Sequence, residues 1–266
     1  MGPDASAGTK PTVTTLLTTA IKGFALSTPE RVRIDGSGAV GDRDFYVIDA
    51  AGCLLSIGRT GSFATWRANF EDETGVLSLT SAQGRILRHE VTEDQSVVVD
   101  LWGRESAGHL VGGPWSTWLS DIAGKPVDLV RADAAGGGSD EAPITLLSEG
   151  SVADVARQAG VASIDIRRFR MLINLSGVQP HEEEAWRARR VRVGSALLQV
   201  AGPVPRCLAT TRDPDSGHRN LQTLHFIVGA RGVQPNDFGK GLNLGVYAEV
   251  VEPGVVAVGD TLELES

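Results

Sequence analysis

Residues 202–217 read GPVPRCLATTRDPDSG, and no other stretch says as much about the fold and the chemistry. Pro203 and Pro205 stiffen the approach to Cys207, since each proline fixes its own φ and restrains the residue before it. Arg206 lies beside the thiol, and a cationic neighbour favours the thiolate, the form that attacks electrophiles or binds a metal. A small buried cysteine at a strand end is the alternative interpretation, and composition alone favours it.

Common metal and hydrolase signatures are missing from the sequence. The run DPDSG at 213–217 has no bidentate Glu at the spacing of a calcium loop, so we interpret it as a tight turn. The five histidines form no HxH or HExxH pattern of the kind that zinc sites use. There is also no GxSxG elbow, so neither a zinc site nor a serine hydrolase is predicted.

Outward from this stretch, most of the chain consists of short β-branched and aliphatic runs separated by turns. The 32 glycines and 12 prolines among 266 residues fit many strands joined by tight turns. We predict a mainly β fold with two β-barrel-like halves and a few peripheral helices. The predicted strands are 13–17, 31–34, 44–49, 53–57, 76–79, 86–91, 97–101, 127–130, 171–175, 191–193, 196–200, 246–251, 255–258 and 261–264.

Two segments carry helix signals. Large apolar residues at 115, 118, 119 and 122 have the spacing of an amphipathic helix, which Gly124 would end. Ser151 and Asp154 match a capping box, which predicts that a second helix opens there and stops at Gly160.

One composition break divides the chain. The run AAGGGSDE at 134–141 predicts a loop or linker, because a phosphate-binding glycine loop would continue into Lys-Ser/Thr. We therefore predict a disordered tail at 1–10, a first β-barrel-like domain at 11–132, a linker at 133–142 and a second domain at 143–266.

The charge balance and the cysteine count limit the partners and the location. The net charge is −8, which argues against a nucleic-acid or membrane-surface binder. No apolar run reaches the ~18 residues of a membrane helix, and the first residues do not resemble a secretion signal. Two cysteines are too few for a disulfide framework. We expect a cytoplasmic protein that binds neither nucleic acid nor a membrane.

Basic residues stand in several short, motif-like stretches of this acidic chain. They include Lys22, Arg43, Arg59 and the run Arg167–Arg170. If these side chains converge with Arg206, they form a pocket that binds a phosphate; scattered surface arginines are the alternative. Cys53 has apolar neighbours and no nearby base, so we expect it in the core.

The motifs together resemble the MOSC domain, the module named from the C-terminus of molybdenum cofactor sulfurase. The first half is similar to the β-barrel that commonly precedes MOSC, so the resemblance covers about residues 12–265. The matching stretches are 21–23, 41–45 and 52–59 in the first half, then 147–151, 168–170, 183–186, 206–211, 213–217, 245–247 and 258–260.

The resemblance implies a pyranopterin molybdenum cofactor and a set of residues that hold it. In amidoxime-reducing members of the family, the cysteine of the Arg-Cys pair binds molybdenum and basic residues hold the pterin phosphate. Cys207 would then be the metal ligand and the catalytic residue. The residues implied to bind the pterin or its phosphate are Lys22, Arg43, Arg168, Arg170 and Arg206, with Ser148, Thr210 and Thr211 as weaker candidates.

Three functions are compatible with this resemblance. The first is a molybdenum-dependent reductase of small N-hydroxylated or N-oxygenated substrates that takes electrons from a separate protein. The second is a sulfur carrier or sulfurtransferase in which a donor protein loads Cys207 with a persulfide. The third is a module that binds the cofactor without turnover. Pyridoxal phosphate is not expected in this chain, because no domain for it fits within the length.

One position departs from the family pattern. The family commonly reads Arg-Phe-Arg-Pro-Asn, whereas Arg170 is followed here by Met171 and Leu172. Asn174 replaces the lost amide only if the strand register allows it. We expect Leu172 to make the pocket drier and to remove a hydrogen-bond partner of the cofactor or substrate.

Overall fold

Strands are the most abundant secondary structure in this computed structural model, which describes residues 10–265. The predicted mainly β fold with a few helices is confirmed. The disordered tail expected at residues 1–10 lies, apart from Lys10, outside the described residues.

The described residues contain 19 strands and three α-helices. The strands are β1 (Thr12–Leu16), β2 (Arg31–Asp35), β3 (Gly38–Ala39), β4 (Phe45–Asp49), β5 (Trp66–Glu71), β6 (Val76–Ser81), β7 (Ile86–Glu90), β8 (Glu93–Leu101), β9 (Arg104–Val111), β10 (Val127–Ala132), β11 (Ile144–Ser148), β12 (Ile173–Ser176), β13 (Arg190–Val193), β14 (Ala196–Pro205), β15 (Gln234–Asn236), β16 (Gly239–Gly241), β17 (Asn243–Glu252), β18 (Gly254–Ala257) and β19 (Leu262–Leu264). The helices are α1 (Trp115–Ala123), α2 (Glu149–Gln158) and α3 (Thr223–Arg231).

The largest sheet is a nearly closed barrel that comes mainly from the second half. Its strands follow the order β1-β12-β11-β17-β14-β13-β19. A bridge between Thr12 and Thr261 joins the first strand to the segment just before the last. The backbone N–H of Leu262 also donates to the Pro11 carbonyl at 2.8 Å, which closes the sheet further.

The first half contains two smaller sheets around a shared aromatic core. One has the order β4-β10-β9-β8 and the other the order β5-β6-β7. Phe24 stacks on Phe63 with ring centroids 4.7 Å apart, and α1 buries Trp115 completely against the same core.

Strands from the beginning of the chain also pack with the second half. Besides β1 in the barrel, β2 pairs with β18 over residues 31–34 and 254–257. Val13, Val32 and Ile34 therefore belong to the barrel core. The chain crosses between the halves more than once, and residues of both halves line the cavity described below.

The three helices test the helix predictions. Helix α1 ends at Gly124 in the left-handed conformation, as predicted. The predicted start of α2 at Ser151 is wrong, because Ser148 is the N-cap and its Oγ accepts from the Gly150 N–H at 3.0 Å. Helix α3 and strands β3, β5, β9, β11, β15 and β16 were not predicted. The strand predicted at 53–57 is wrong, because Leu54 forms only an isolated bridge with Ile48 there. No helix within residues 10–265 combines the length and apolarity needed to cross a bilayer.

The expectation that Cys53 lies in the core is wrong. Cys53 is exposed because it follows a tight turn, in which its backbone N–H donates to Asp49 Oδ1 at 3.1 Å. The stretch expected as a linker is a packed loop, in which Gly138 and Ser139 are buried. The loop is fixed by Arg104, which donates to the Gly137 and Ser139 carbonyls at 2.8 and 2.6 Å.

Candidate functional site

A cavity of about 340 Å³ opens where the two halves meet, and both halves line it. This volume is within the range of small-molecule sites. The lining residues are Lys22, Gly23, Arg43, Ser56, Ile57, Gly58 and Trp102 from the first half, and Ser139, Asp140, Glu141, Ala142, Pro143, Thr145, Arg168, Phe169, Arg170, Met171, Val204, Pro205, Arg206, Cys207, Ala209, Phe238 and Tyr247 from the rest of the chain.

Cys207 lies where β14 stops, on the edge of this cavity. Strand β14 ends at Pro205, and the Arg206 N–H donates to the Leu242 carbonyl at 2.7 Å, which anchors the residue before the cysteine. A short 3-10 turn follows, in which Thr210 Oγ1 donates to the Cys207 carbonyl at 3.0 Å. The thiol is exposed and forms no hydrogen bond within residues 10–265. The alternative interpretation of a buried cysteine at a strand end is therefore wrong.

Arg206, next to Cys207 in sequence, lines the same cavity. It lies 5.5 Å above the Phe169 ring, donates to the Phe169 carbonyl, and places Nη1 3.2 Å from Met171 Sδ. Its Nε is buried and has no hydrogen-bond partner in the described structure. Burial also lowers the pKa of Arg206. Both features fit a cation that lacks an anionic partner.

Arg43 and Arg170 interlock although they come from different halves. Arg43 Nη2 donates to the Arg170 carbonyl at 2.8 Å, and Arg170 Nη2 donates to the Phe24 carbonyl at 2.7 Å. Both arginines have left-handed backbones, with φ of 58° and 55°. Non-glycine residues adopt this conformation rarely, and it occurs preferentially at functional sites. Burial, together with the charge of Arg43, lowers the pKa of Arg170 to about 9.

Lys22 is the fourth cation and is held by the glycine-rich loop. Its Nζ donates to the Gly138 carbonyl at 2.6 Å and forms an ion pair with Asp140. Burial lowers the pKa of Lys22 despite this carboxylate. Burial alone would raise the pKa of Asp140, but the charges of Lys22, Arg43 and Arg206 outweigh it and the pKa is lowered.

Positive charge therefore exceeds negative charge inside this cavity. Lys22, Arg43, Arg168, Arg170 and Arg206 line it, whereas the carboxylates that line it are Asp140 and Glu141, and the buried Asp42 pairs with Arg43. Desolvated cations gain most from an added anion, and guanidinium groups bind phosphate oxygens well. The predicted convergence of the four cationic side chains is thus what the structure shows, in a chain whose overall charge is −8.

The side chains of four other predicted site residues form hydrogen bonds within the protein. Ser148 caps α2, and its Oγ donates to the Val178 carbonyl at 3.2 Å. Thr210 Oγ1 lies 2.7 Å from Thr223 Oγ1, and Thr211 Oγ1 donates to the Leu208 carbonyl at 2.7 Å. None of the three lines the cavity, and their role in cofactor binding stays a prediction. Arg168 does line it, but its Nη2 donates to Asn220 Oδ1 at 2.8 Å and thereby fixes the loop beyond Cys207.

The expectation for Leu172 is wrong. Its side chain belongs to the barrel core and does not line the cavity. The positive φ of Arg170 turns the chain so that Met171, one residue earlier, faces the cavity. Asn174 does not replace the missing amide, because its Nδ2 donates to the carbonyls of Thr15 and Met171, both at 3.2 Å.

Several lining residues escaped prediction. Asp140 was assigned to a linker. In the structure it forms an ion pair with Lys22, which is distant in sequence. Tyr247 lies within a quoted motif, which gave no sign that its ring faces the cavity. Trp102 and Phe238 are exposed aromatic residues in hairpin turns, and that exposure becomes visible only in the structure.

Comparison with known proteins adds a family match. The profile of the MOSC domain matches residues 133–263. Mitochondrial amidoxime-reducing component 1 of Homo sapiens is 30% identical over 130 residues, which cover 47% of this chain and 38% of that protein.

Two further relatives align over longer stretches. Mitochondrial amidoxime-reducing component 1 of Danio rerio is 27% identical over 211 residues, 71% of this chain and 64% of that protein. Molybdenum cofactor sulfurase of Oryza sativa subsp. japonica is 24% identical over 213 residues, 68% of this chain and 26% of that protein. The chain spans less than two thirds of the length of each of the three relatives.

Proposed function

We propose, from the premise that residues 133–263 belong to the MOSC domain family, that this chain binds a pyranopterin molybdenum cofactor and reduces N-hydroxylated or other N-oxygenated compounds. The family is associated with this cofactor. When bound, the cofactor would supply two-electron oxygen-atom transfer. The conversion as a whole turns N–OH into N–H and water, and it consumes two electrons and two protons.

One observation carries the proposal: an exposed thiol shares a cavity with four desolvated cations. A thiolate is a soft ligand that suits molybdenum better than magnesium or calcium. The unpartnered Nε of Arg206 and the excess of positive charge suit the phosphate of a pterin. Cys207 would hold the metal, and Lys22, Arg43, Arg170 and Arg206 would hold the anionic part.

The residues of this chain have separate tasks in this proposal. Arg206 anchors the segment before Cys207 through its backbone N–H and offers its guanidinium to the anionic part of the cofactor. Arg43, from the first half, donates to the backbone of Arg170, from the second half. The proposed anion site therefore contains residues of both halves. Phe169 and Met171 present apolar surface beside these charges and exclude water from them. Electrons would come from outside these 266 residues, since their two cysteines cannot supply the four ligands of an iron–sulfur cluster.

Metal analysis tests the proposal, and the chain offers a matched control. Cys53 and Cys207 are both free and exposed, but Cys207 alone lines the cavity. Protein from a host that makes the cofactor should contain molybdenum in wild type and Cys53→Ser, and lose most of it in Cys207→Ser. Equal loading of wild type and Cys207→Ser would contradict the proposed role of the thiol.

Sulfur transfer is the second candidate, because the Cys207 thiol is exposed and free of hydrogen bonds within the described structure. A persulfide forms when the thiolate attacks the outer sulfur of a donor persulfide, the S–S bond of the donor breaks and the donor leaves as a thiolate; exposure permits this attack. Intact-mass measurement after treatment with a sulfur donor distinguishes the two functions. Stable added sulfur on Cys207 in protein that never holds molybdenum would favour sulfur transfer.

A further inference from the structure

Two aromatic side chains flank the mouth of the cavity and are mostly exposed to solvent. Trp102 is 58% exposed and Phe238 is 55% exposed, and both line the cavity. Among residues 10–265, they are the only Trp, Phe or Tyr residues classed as exposed. Exposed apolar surface of this kind marks binding sites when it is concentrated in one place.

Trp102 occupies a position that the turn itself disfavours. Strands β8 and β9 are joined by Trp102 and Gly103, whose φ angles are 63° and 93°. Positive φ at both residues defines a type I′ turn, for which Asn-Gly is the preferred pair. A bulky side chain at positive φ is a genuine outlier, and such strain concentrates at functional positions.

Phe238 reaches the same mouth from a different hairpin. It lies between β15 and β16, where its backbone N–H donates to Asn236 Oδ1 at 2.9 Å. The hydrogen bond fixes the turn and leaves the ring outside the apolar core clusters of the described residues. Two hairpin tips, one from each half, therefore each place an aromatic ring beside the cation-lined cavity.

We infer that Trp102 and Phe238 are specificity-determining residues that bind the flat ring of an aromatic or heteroaromatic substrate at the cavity mouth. The inference rests on the proposed function, since it names the class of N-hydroxylated substrate. Aromatic faces bind other flat π systems better than saturated rings of equal size. An N–OH group on such a ring then points toward Cys207, while the ring stays between the two hairpins.

The test compares two probes that differ only in the flatness of the ring. N-benzylhydroxylamine and N-(cyclohexylmethyl)hydroxylamine carry the same reacting group, which a methylene separates from the phenyl or cyclohexyl ring. Their dissociation constants are measured calorimetrically, without oxygen or reductant, on cofactor-loaded protein. Their reduction is then measured with a chemical electron donor. Wild type should prefer the phenyl compound about fivefold or more in both measurements.

Substitutions at the rim should reduce this preference without touching the cofactor. Trp102→Leu and Phe238→Leu keep an apolar side chain but remove the π face, and each should lower the preference roughly 2- to 10-fold. Trp102→Phe keeps a π face and should retain most of the preference for the phenyl compound. Val98→Ala is the control, because Val98 is exposed on the same hairpin and does not line the cavity.

The unfolding temperature of a Trp102 variant distinguishes a binding role of the ring from a structural one. Trp102→Asn provides the residue that the turn prefers, so its unfolding temperature should be equal to or higher than that of wild type. A marked fall would mean that the Trp102 ring is retained for packing, and it would overturn the inference. Loss of molybdenum from Trp102→Leu would overturn it as well, because the ring would then hold the cofactor.

Binding preference tests the aromatic rim, whereas reduction tests the proposed function, so the two can fail separately. Protein that binds the phenyl compound preferentially but reduces neither compound supports the aromatic rim and contradicts the reductase. Protein that reduces both compounds equally, with no effect of either leucine substitution, supports the reductase and overturns the aromatic rim.

Discussion

Replacing Leu172 with Asn should destabilise the protein and should not raise its molybdenum content. The Leu172 side chain is 1% exposed and packs in the barrel core. Its backbone N–H donates to Thr145 Oγ1 at 2.8 Å, and its carbonyl accepts from the Leu17 N–H at 2.9 Å. The backbone on both sides is therefore fixed, and an amide at this position cannot turn toward the cavity.

The expected cost follows from what the substitution buries. Loss of a buried leucine's packing costs about 2–5 kcal/mol. A buried amide without partners adds about 1–3 kcal/mol. We expect the free energy of unfolding to fall by about 3–6 kcal/mol, since Asn refills part of the leucine's volume. That is a large fraction of the ~5–15 kcal/mol typical of a folded domain.

Urea denaturation followed by tryptophan fluorescence measures this loss. Leu172→Met is the control, because it conserves volume and should cost less than about 1.5 kcal/mol. The reasoning would be refuted if Leu172→Asn unfolded at the urea concentration of wild type and also contained more molybdenum. That result would place residue 172 at the cofactor.

Three further predictions concern charge and close approach. Hydrogen bonds from Ser216 lower the pKa of Asp213 to about 2, so the carboxylate stabilises the fold above its ordinary pKa. Asp213→Asn should therefore cost about 2 kcal/mol at neutral pH, and its difference from wild type should disappear between about pH 4 and pH 2 in acid-unfolding curves. Asp140→Asn removes the carboxylate from Lys22 and should raise the affinity for inorganic phosphate about tenfold by calorimetry; unchanged affinity would contradict the cationic cavity. A Cβ at Gly61 would lie 2.1 Å from a carbonyl of the facing loop, so Gly61→Ala should lower stability by about 1–3 kcal/mol in urea.

Local pattern was enough to predict much of the fold, and the family resemblance predicted the centre of the site. Helix α1 and most strands follow from apolar periodicity and glycine positions, which depend on neighbours in sequence. The convergence of Lys22, Arg43, Arg170 and Arg206 followed from the resemblance to the MOSC domain, because the residues alone left scattered surface arginines as the alternative. Whether they bind a cofactor stays a prediction, and so do the domain boundaries.

The sequence could not show features that depend on contacts between distant segments. The family pattern suggested that residue 172 faces the cavity, but Met171 lines it and Leu172 packs in the barrel core after the left-handed backbone of Arg170. Ser148 and Ser151 are both plausible helix caps, and the end of β11 decides between them. Asp140 looked like part of a spacer because its partner Lys22 lies 118 residues away.

The closure of the barrel between Thr12 and Thr261 has a consequence for how the chain folds. Strands β1 and β12 pair across about 160 residues, and the final bridge spans about 250, so these contacts have high contact order. During synthesis, β1 must wait for the end of the chain before its sheet is complete. A fragment that begins at residue 143 would lack β1 and would expose the edges of β12 and β19. Such open edges recruit other chains, so this fragment should aggregate where the longer chain folds.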